Sequence, residues 1–493
     1  MVNSPSNQIV KNIFYLTTGQ ILNLILSFIS ITFAARMLGV NEFGKFGYLL
    51  AIVTVLSKIV DLGFSSIVFR ELSIKRNSFE MLNLALTIRL YIFFIVVVLL
   101  NISSVFFSFT LLEIFLLNIL FINVIFSSKF VLIRELLDLP FKVNLKMQYP
   151  IIATNIDNII LIVLVLLIPF FKDKLSAFVI GYTISNIPGL ILMLFFLKKK
   201  FNYKFEFNLK LYKWLLKESF PLYGFILLDT IYQQMDVILL KNLVNYHDAG
   251  IYSVSIRLVM PLIIFPTAII HSVFPTLSKN NSSSENNNFL LINMIFKVLF
   301  FISFVCALMF FFKASEIITI IYGPKYSLAS GPTSILLFSQ IFIFYNYFVI
   351  NLMVAYKKQS LDFFYAILVL VASFGFNILF IPSYSFIGVG IAKLATAFLG
   401  FLYAAYILYK TDKKIYLFNK KTIIWAFWAW GFLYLLSFFG LVLFAILGVI
   451  VIMVSVFIMK YFCDEEIIFI FNILRKPEWG KKIVKYDIMK IWS

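Results

Sequence analysis

Apolar runs close to the length of a membrane-crossing helix follow one another through almost the whole 493-residue chain. Crossing a hydrocarbon core takes roughly 20 residues of helix. Runs of that size occur at Ile13–Ala35, Gly47–Phe64, Leu82–Val105, Leu111–Ser128, Tyr149–Phe171 and Leu175–Leu197. Six more follow at Phe220–Leu240, Gly250–Phe274, Phe289–Phe312, Gly331–Ala355, Phe363–Ile381 and Ile387–Tyr409. Thr422–Phe438 and Leu441–Phe462, divided by little more than Gly440, complete fourteen. Lipid offers no partner to a backbone N–H or C=O, so each run must satisfy its own, which a helix does. The pattern predicts an all-α integral membrane protein with about fourteen transmembrane helices. Composition agrees, with 62% of residues hydrophobic and 13% charged, against about a quarter charged in soluble domains. Ile13–Ala35 lacks a small-residue cleavage site and is expected to stay as the first helix rather than leave as a signal peptide.

A net charge of +19 would point to nucleic acid in a soluble protein, but the placement of the charges points elsewhere. With the N-terminus in the cytoplasm, segments on that side hold 30 Lys and Arg, among them Lys129, Arg134, Lys142 and Lys146. Outward loops hold 7: Arg36, Lys45, Lys172, Lys174, Lys241, Lys313 and Lys325. Short cytoplasmic loops collect positive residues, so both termini are expected on the cytoplasmic side of the membrane. Anionic lipid headgroups, not nucleic acid, are the natural partner of this charge. Cys306, Cys463, His247 and His271 are too few for a disulfide framework or a metal site, and no cofactor is expected.

The longest hydrophilic break, Lys198–Lys217, alternates apolar and basic residues, as a segment lying on the cytoplasmic leaflet does. It predicts an N-terminal six-helix lobe over 1–197, an interfacial linker at 198–217 and a second six-helix lobe over 218–410. Two additional helices over 411–462 and a cytoplasmic tail at 463–493 follow. A short repeat supports two equivalent halves. Glu42-Phe43-Gly44-Lys45-Phe46 and Asp248-Ala249-Gly250-Ile251-Tyr252 share an acidic-x-Gly-x-aromatic pattern, each where the second helix of a half begins. Leu72-Ser73 and Leu277-Ser278 close the two units at nearly the same offset. Six helices per half gives parallel copies, for which substrate sites lie between the bundles.

The ordered motifs resemble a known family. Gly19-Gln20, Ala35-Arg36-Met37-Leu38-Gly39, Glu42-Phe43-Gly44-Lys45-Phe46-Gly47 and Asp61-Leu62-Gly63-Phe64 resemble the opening of polysaccharide exporters. These include the Wzx-type O-antigen flippases of the multidrug/oligosaccharidyl-lipid/polysaccharide exporter superfamily. Asp236-Val237-Ile238-Leu239-Leu240, Ala249-Gly250-Ile251-Tyr252-Ser253-Val254 and Ile321-Tyr322-Gly323-Pro324-Lys325-Tyr326 fit the same family. So do Asn377-Ile378-Leu379-Phe380-Ile381-Pro382 and Gly388-Val389-Gly390-Ile391-Ala392, which match its eleventh and twelfth helices. The resemblance runs from Gly19 to about Leu402. It implies two six-helix lobes around a central cavity, two extra C-terminal helices, and alternating access. The implied substrate is an undecaprenyl-diphosphate-linked sugar repeat unit of the O-antigen (lipopolysaccharide) or capsule type. A proton or sodium ion is then the candidate driving ion, and a polysaccharide polymerase the candidate protein partner.

An ionisable group in a span costs roughly 2.5–3.5 kcal/mol at the centre on insertion scales, so it usually faces a cavity or a partner. Arg257 lies about two turns into the eighth run. Pro261, four residues on, cannot donate to its carbonyl, which leaves a cation and a free carbonyl at one level of an expected kink. In the lipid II flippases it resembles, the matching arginine lies in the central cavity, which implies a diphosphate contact. The structural alternative is an Asp236–Arg257 pair between two helices. Asp229, Gln233 and Asp236 fall on one helix face, where a carboxylate carries a coupling ion or neutralises Arg257. Asn377 and Thr396 are sodium-ligand candidates by analogy with a family site, although Lys393 beside them could replace the ion. Lys58 and Asp61, three apart, are expected to pair, with Lys58 the alternative substrate contact. Arg89 and Lys297 are expected to snorkel from helix ends, Arg89 otherwise contacting substrate. Asp157 with Asn155 and Asn158 makes a polar step and a further coupling candidate. Arg36 reads as an anchor at the outer mouth, and Trp425, Trp428 and Trp430 as an interfacial belt.

A flippase is therefore the expected function, and an enzyme is not. A cation-exporting drug antiporter of the same superfamily would want an acidic cavity, whereas the candidate residues here are at least as basic as acidic. A polysaccharide polymerase would want reactive side chains on large outward loops, yet the longest, about Lys313–Ser330, holds only Lys313, Glu316 and Lys325. An ATP-driven pump would need a Gly-rich loop with Lys-Ser/Thr, and the sequence has none.

Overall fold

The structure, a computed structural model, describes residues 5–74, 79–106, 109–130, 132–197, 204, 208–279, 285–356, 360–411, 420–459, 461–462 and 466. Most of the expected linker over 198–207, and the expected tail apart from Glu466, lie outside the described residues. Every regular element described is helical. In chain order these are α1 (Pro5–Leu38), α2 (Val40–Asp61), α3 (Phe64–Ile74), α4 (Glu80–Phe106), α5 (Leu111–Phe126) and α6 (Ile133–Val143). Then come α7 (Gln148–Leu167), α8 (Lys174–Ile184), α9 (Ile187–Leu197), α10 (Leu209–Leu243), α11 (Tyr246–Val259) and α12 (Ile264–Lys279). The last are α13 (Glu285–Tyr322), α14 (Ser330–Ala355), α15 (Ser360–Thr411), α16 (Lys420–Leu436) and α17 (Leu441–Ile458).

Nine stretches among the described residues are long and apolar enough to cross a membrane, where the sequence predicts about fourteen. Two predicted runs merge in Leu361–Lys410, and Leu111–Phe126 and Leu441–Val456 are apolar but short. α16 has only 17 residues, and α10 opens on the charged stretch Lys210–Glu218 before its apolar part. The end of the predicted linker, Leu209–Lys217, is thus the beginning of a 35-residue helix.

Turns fall where the backbone needs a special residue. Gly39 (φ 78°) separates α1 from α2, and Leu62 (φ 51°) with Gly63 (φ 70°) ends α2. α15 breaks at Ser385, which takes φ 49°, just after Pro382. The two arms fold back on one another, since Tyr403 Oη donates to the Leu361 carbonyl at 3.4 Å. A Cβ at Gly388 would overlap the Phe380 carbonyl, so only glycine fits this hairpin. α5 begins with a capping box in which Thr110 and Glu113 satisfy each other's backbone N–H.

The helices group into two compact units: Met1–Val254 with Ile321–Lys325, and Ser255–Ile320 with Tyr326–Ser493. In both, large apolar side chains such as Phe94, Phe195, Val371 and Phe427 are exposed while Arg89, Arg134 and Asn377 are buried. Such a surface suits lipid, not water. In the second unit Trp425 is fully buried and its indole N–H donates to Ser455 Oγ at 2.9 Å. Its ring packs edge-on against Tyr461 at 4.9 Å. The expected tryptophan belt is corrected at this position: Trp425 pins α16 to α17, because a buried indole needs an acceptor and finds one there. Lys297 does not snorkel either; its ammonium meets Glu466 at 2.7 Å.

Candidate functional site

The first unit holds two sealed ion pairs. Arg89 on α4 is fully buried, pairs with Asp61 of α2, and also donates to the Asp61 and Leu132 carbonyls and to Ser65 Oγ. Ser65 Oγ in turn donates to Glu135 on α6 at 2.7 Å. Arg89 was expected to snorkel and Lys58 to take Asp61, and both expectations are corrected. Arg89's fork reaches several acceptors that converge where α2 ends and α3 and α6 begin, and it outcompetes a single ammonium for the carboxylate. Lys58 is left half-buried and forms no ion pair among the described residues. Asp61, Glu135 and Asp229 are the carboxylates near enough to act on it.

Asp157 on α7 forms the second pair, with Arg134 of α6. Its Oδ1 also accepts the Gly189 N–H at 2.8 Å. A Cβ at Gly189 would overlap both members of the pair, so the absence of a side chain there is what admits it. Arg134, counted above among cytoplasmic loop charges, is fully buried instead. The pair fastens α6, a strongly amphipathic helix, to the transmembrane helices. Asn158 Nδ2 donates to Asn23 Oδ1 at 2.5 Å and extends the polar step to α1. Sequence reasoning missed Arg134; the amphipathic run Ile133–Val143 was the available signal.

The repeated motifs meet each other. A Cβ on Gly44 would overlap the Tyr246 carbonyl oxygen and lie 2.6 Å from the Gly250 nitrogen, and one on Gly250 would overlap the Val40 carbonyl. The starts of α2 and α11 therefore cross backbone to backbone at two glycines. Around the crossing, Tyr246 Oη donates to Glu113 at 2.6 Å, Lys45 approaches Glu113 at 3.7 Å, and Lys241 lies over the rings of Tyr48 and Tyr246 at 4.7 and 5.2 Å. Just below, Asp236 is buried and accepts from Tyr252 Oη at 2.8 Å. Asp229 is exposed and accepts from Gln233 Nε2 at 2.6 Å. The two aspartates thus share a helix face by spacing but not an environment.

In the second unit α11 ends at Val259, and a 3-10 turn, Met260–Ile263, leads to α12. The kink expected at Pro261 is present, with half-buried Arg257 one turn before it. Asn377 and Lys393 stand eight residues either side of the Ser385 break and are both buried. Asn377 Nδ2 contacts Ser373 Oγ at 3.3 Å and Thr396 Oγ1 donates to its own helix at Ala392, 2.7 Å. Among the described residues no group of three His, Cys, Asp or Glu could hold a metal ion. The assembled chemistry is that of fixed charges buried in apolar surroundings and a helix broken beside a cation.

Comparison with known proteins finds a family and a fold. The family described as polysaccharide biosynthesis protein matches residues 9–281. The capsular polysaccharide biosynthesis protein CapF of Staphylococcus aureus is 24% identical over 408 residues, covering 81% of this chain and 99% of that protein. Among solved structures, the lipid II flippase MurJ in an inward closed conformation has a TM-score of 0.70 at 20% identity, covering 90% of this chain and 98% of that one. An inward-facing multidrug resistance MATE family transporter of the MOP superfamily has a TM-score of 0.56 at 13% identity, covering 82% and 99%.

Proposed function

Because this chain belongs to the polysaccharide biosynthesis protein family, we propose that it is a flippase for undecaprenyl-diphosphate-linked oligosaccharide repeat units. It carries them from the cytoplasmic to the outer leaflet of the bacterial inner membrane, for O-antigen or capsule assembly, by alternating access driven by an ion gradient. The observation that carries the reading is Arg257: a half-buried cation within an apolar span, one turn before a broken helix. A diphosphate headgroup brings concentrated negative charge into a region where unpaired charge is costly. The protein must replace its hydration with fixed donors, and arginine's planar fork grips phosphate oxygens in two places. Lys393, in the same unit as Arg257, is a further cation for the headgroup; Lys58 of the other unit is a candidate substrate contact by itself, and Arg89 a positioning residue through Asp61. Asp236 is the coupling candidate, with Asp229, Asn377 and Asp157 as alternatives; the ion pair with Arg134 supports a holding role for Asp157. The MurJ-like fold and the CapF relationship support the substrate class, and the charge bias supports cytoplasmic termini. A drug-type exporter of cations fits less well, since Asp61, Asp157 and Glu113 are each already engaged by a cation.

The test is surface polymer in cells whose only copy is variant. Arg257→Ala should lower surface polysaccharide at least tenfold and accumulate lipid-linked repeat units on the cytoplasmic side, at normal protein level. Arg257→Lys keeps charge without the fork and should retain partial output. Wild-type output from Arg257→Ala removes the reading.

A further inference from the structure

Within the first unit, α1, α6 and α7 surround a cavity of about 190 Å³. Gln20 and Asn23 of α1, Ser128 after α5, Asp138 of α6 and Thr154 of α7 bring polar groups to its wall, and among the described residues no lysine or arginine lines it. Asp138 Oδ1 is buried and accepts no hydrogen bond from any described residue, an uncommon state for a buried carboxylate oxygen. Thr154 Oγ1 gives its proton to the Pro150 carbonyl at 2.8 Å, which leaves its lone pairs for another partner. The wall beside them is firm, because a Cβ at Gly19 would overlap Ile151 across α1 and α7.

Among the described residues, the charges that act on Asp138 are on its own helix. Arg134 is held by Asp157, and Lys142 lies 3.8 Å from Glu135; α1 and α7 bring only uncharged groups to the cavity. Burial pushes the Asp138 carboxyl up to about 7, against the pull of Arg134 and Lys142 and helped by Glu135. Among the described lining residues, Asp138 is the charged group, and no cation balances it at the cavity wall.

We infer that it binds one hydrated monovalent cation of the sodium class, with Asp138 as its charge partner and the oxygens of Gln20, Ser128 and Thr154 around it. One carboxylate balances one charge, whereas calcium sites collect six to eight oxygens, usually with several carboxylates. The volume is well above what one water needs, so the cavity admits an ion together with several waters. The cation would complete the seating of α6, already fastened by Arg134. This site is separate from Asp236 and Asp229 and does not depend on the substrate assigned above.

Binding of radiolabelled sodium to the purified full-length protein in detergent tests it. Binding should saturate, yield to unlabelled sodium and not to choline, and fall at least tenfold in Asp138→Asn. From about pH 8.5 to about pH 6 the apparent affinity should drop about tenfold, since a carboxyl titrating near 7 is only about one-tenth ionised at pH 6. Thr154→Val, which keeps the shape and removes the hydroxyl, should weaken binding several-fold. Unchanged binding in Asp138→Asn overturns the inference, as does displacement by magnesium at lower concentration than by sodium. If Asp138→Asn does not yield monodisperse protein, unchanged binding in Thr154→Val overturns it.

Discussion

Removing either member of the Arg134–Asp157 pair should destabilise the first unit far more than removing both. The two side chains are 0% and 4% exposed, so neither charge can turn to solvent when its partner is lost. Stranding one charge of a buried pair costs about 3–5 kcal/mol, while replacing both by apolar groups of similar volume is often neutral or better. Asp157→Ala also strips the Gly189 N–H of its acceptor, about 1–3 kcal/mol where that donor is buried. Arg134→Met with Asp157→Leu keeps the volume and leaves only the Gly189 penalty. The double variant should therefore recover at least about 2 kcal/mol over Asp157→Ala alone. For a unit of this size about 1 kcal/mol corresponds to about 2 °C, so Asp157→Ala, which carries both costs, should lower the unfolding temperature of the detergent-purified protein by about 8–16 °C. The double variant should regain about half of that or more. A double variant no more stable than the worse single one would refute the pairing argument. A double variant that is stable but makes no surface polymer would show that Asp157 has a role in transport beyond holding α6.

Two further expectations follow from particular atoms. Gly250→Ala forces a methyl against the Val40 carbonyl and should cost about 1–3 kcal/mol as overpacking; Gly224→Ala, where a Cβ meets nothing within 4 Å, is the control and should be neutral in the same thermal assay. Asp236→Asn keeps an oxygen to accept from Tyr252, so it should leave protein level and unfolding temperature near wild type while abolishing surface polymer; full output from this variant removes Asp236 as coupling residue and turns attention to Asp229.

The chain itself determined that the protein is helical and lives in lipid. Runs of Phe, Ile and Leu near 20 residues long leave no other way to satisfy the backbone, and Gly39, Gly63 and Pro261 mark turns or breaks by local sterics alone. The motif pair around Gly44 and Gly250 was also legible, as a spacing. Partners were not. Lys58 and Asp61 are neighbours in sequence, yet Asp61 belongs to Arg89, 28 residues away, because packing of α2 against α4 seals out water and rewards the side chain with the most donors. Arg134 looked like a loop charge until α6 folded down over Gly189 and enclosed it with Asp157. Trp425 looked like a membrane-surface residue until Ser455 supplied an acceptor for its N–H. The sequence states which charges must be reconciled with lipid; only the tertiary packing decides which of them meet, because that depends on helix faces brought together from distant parts of the chain.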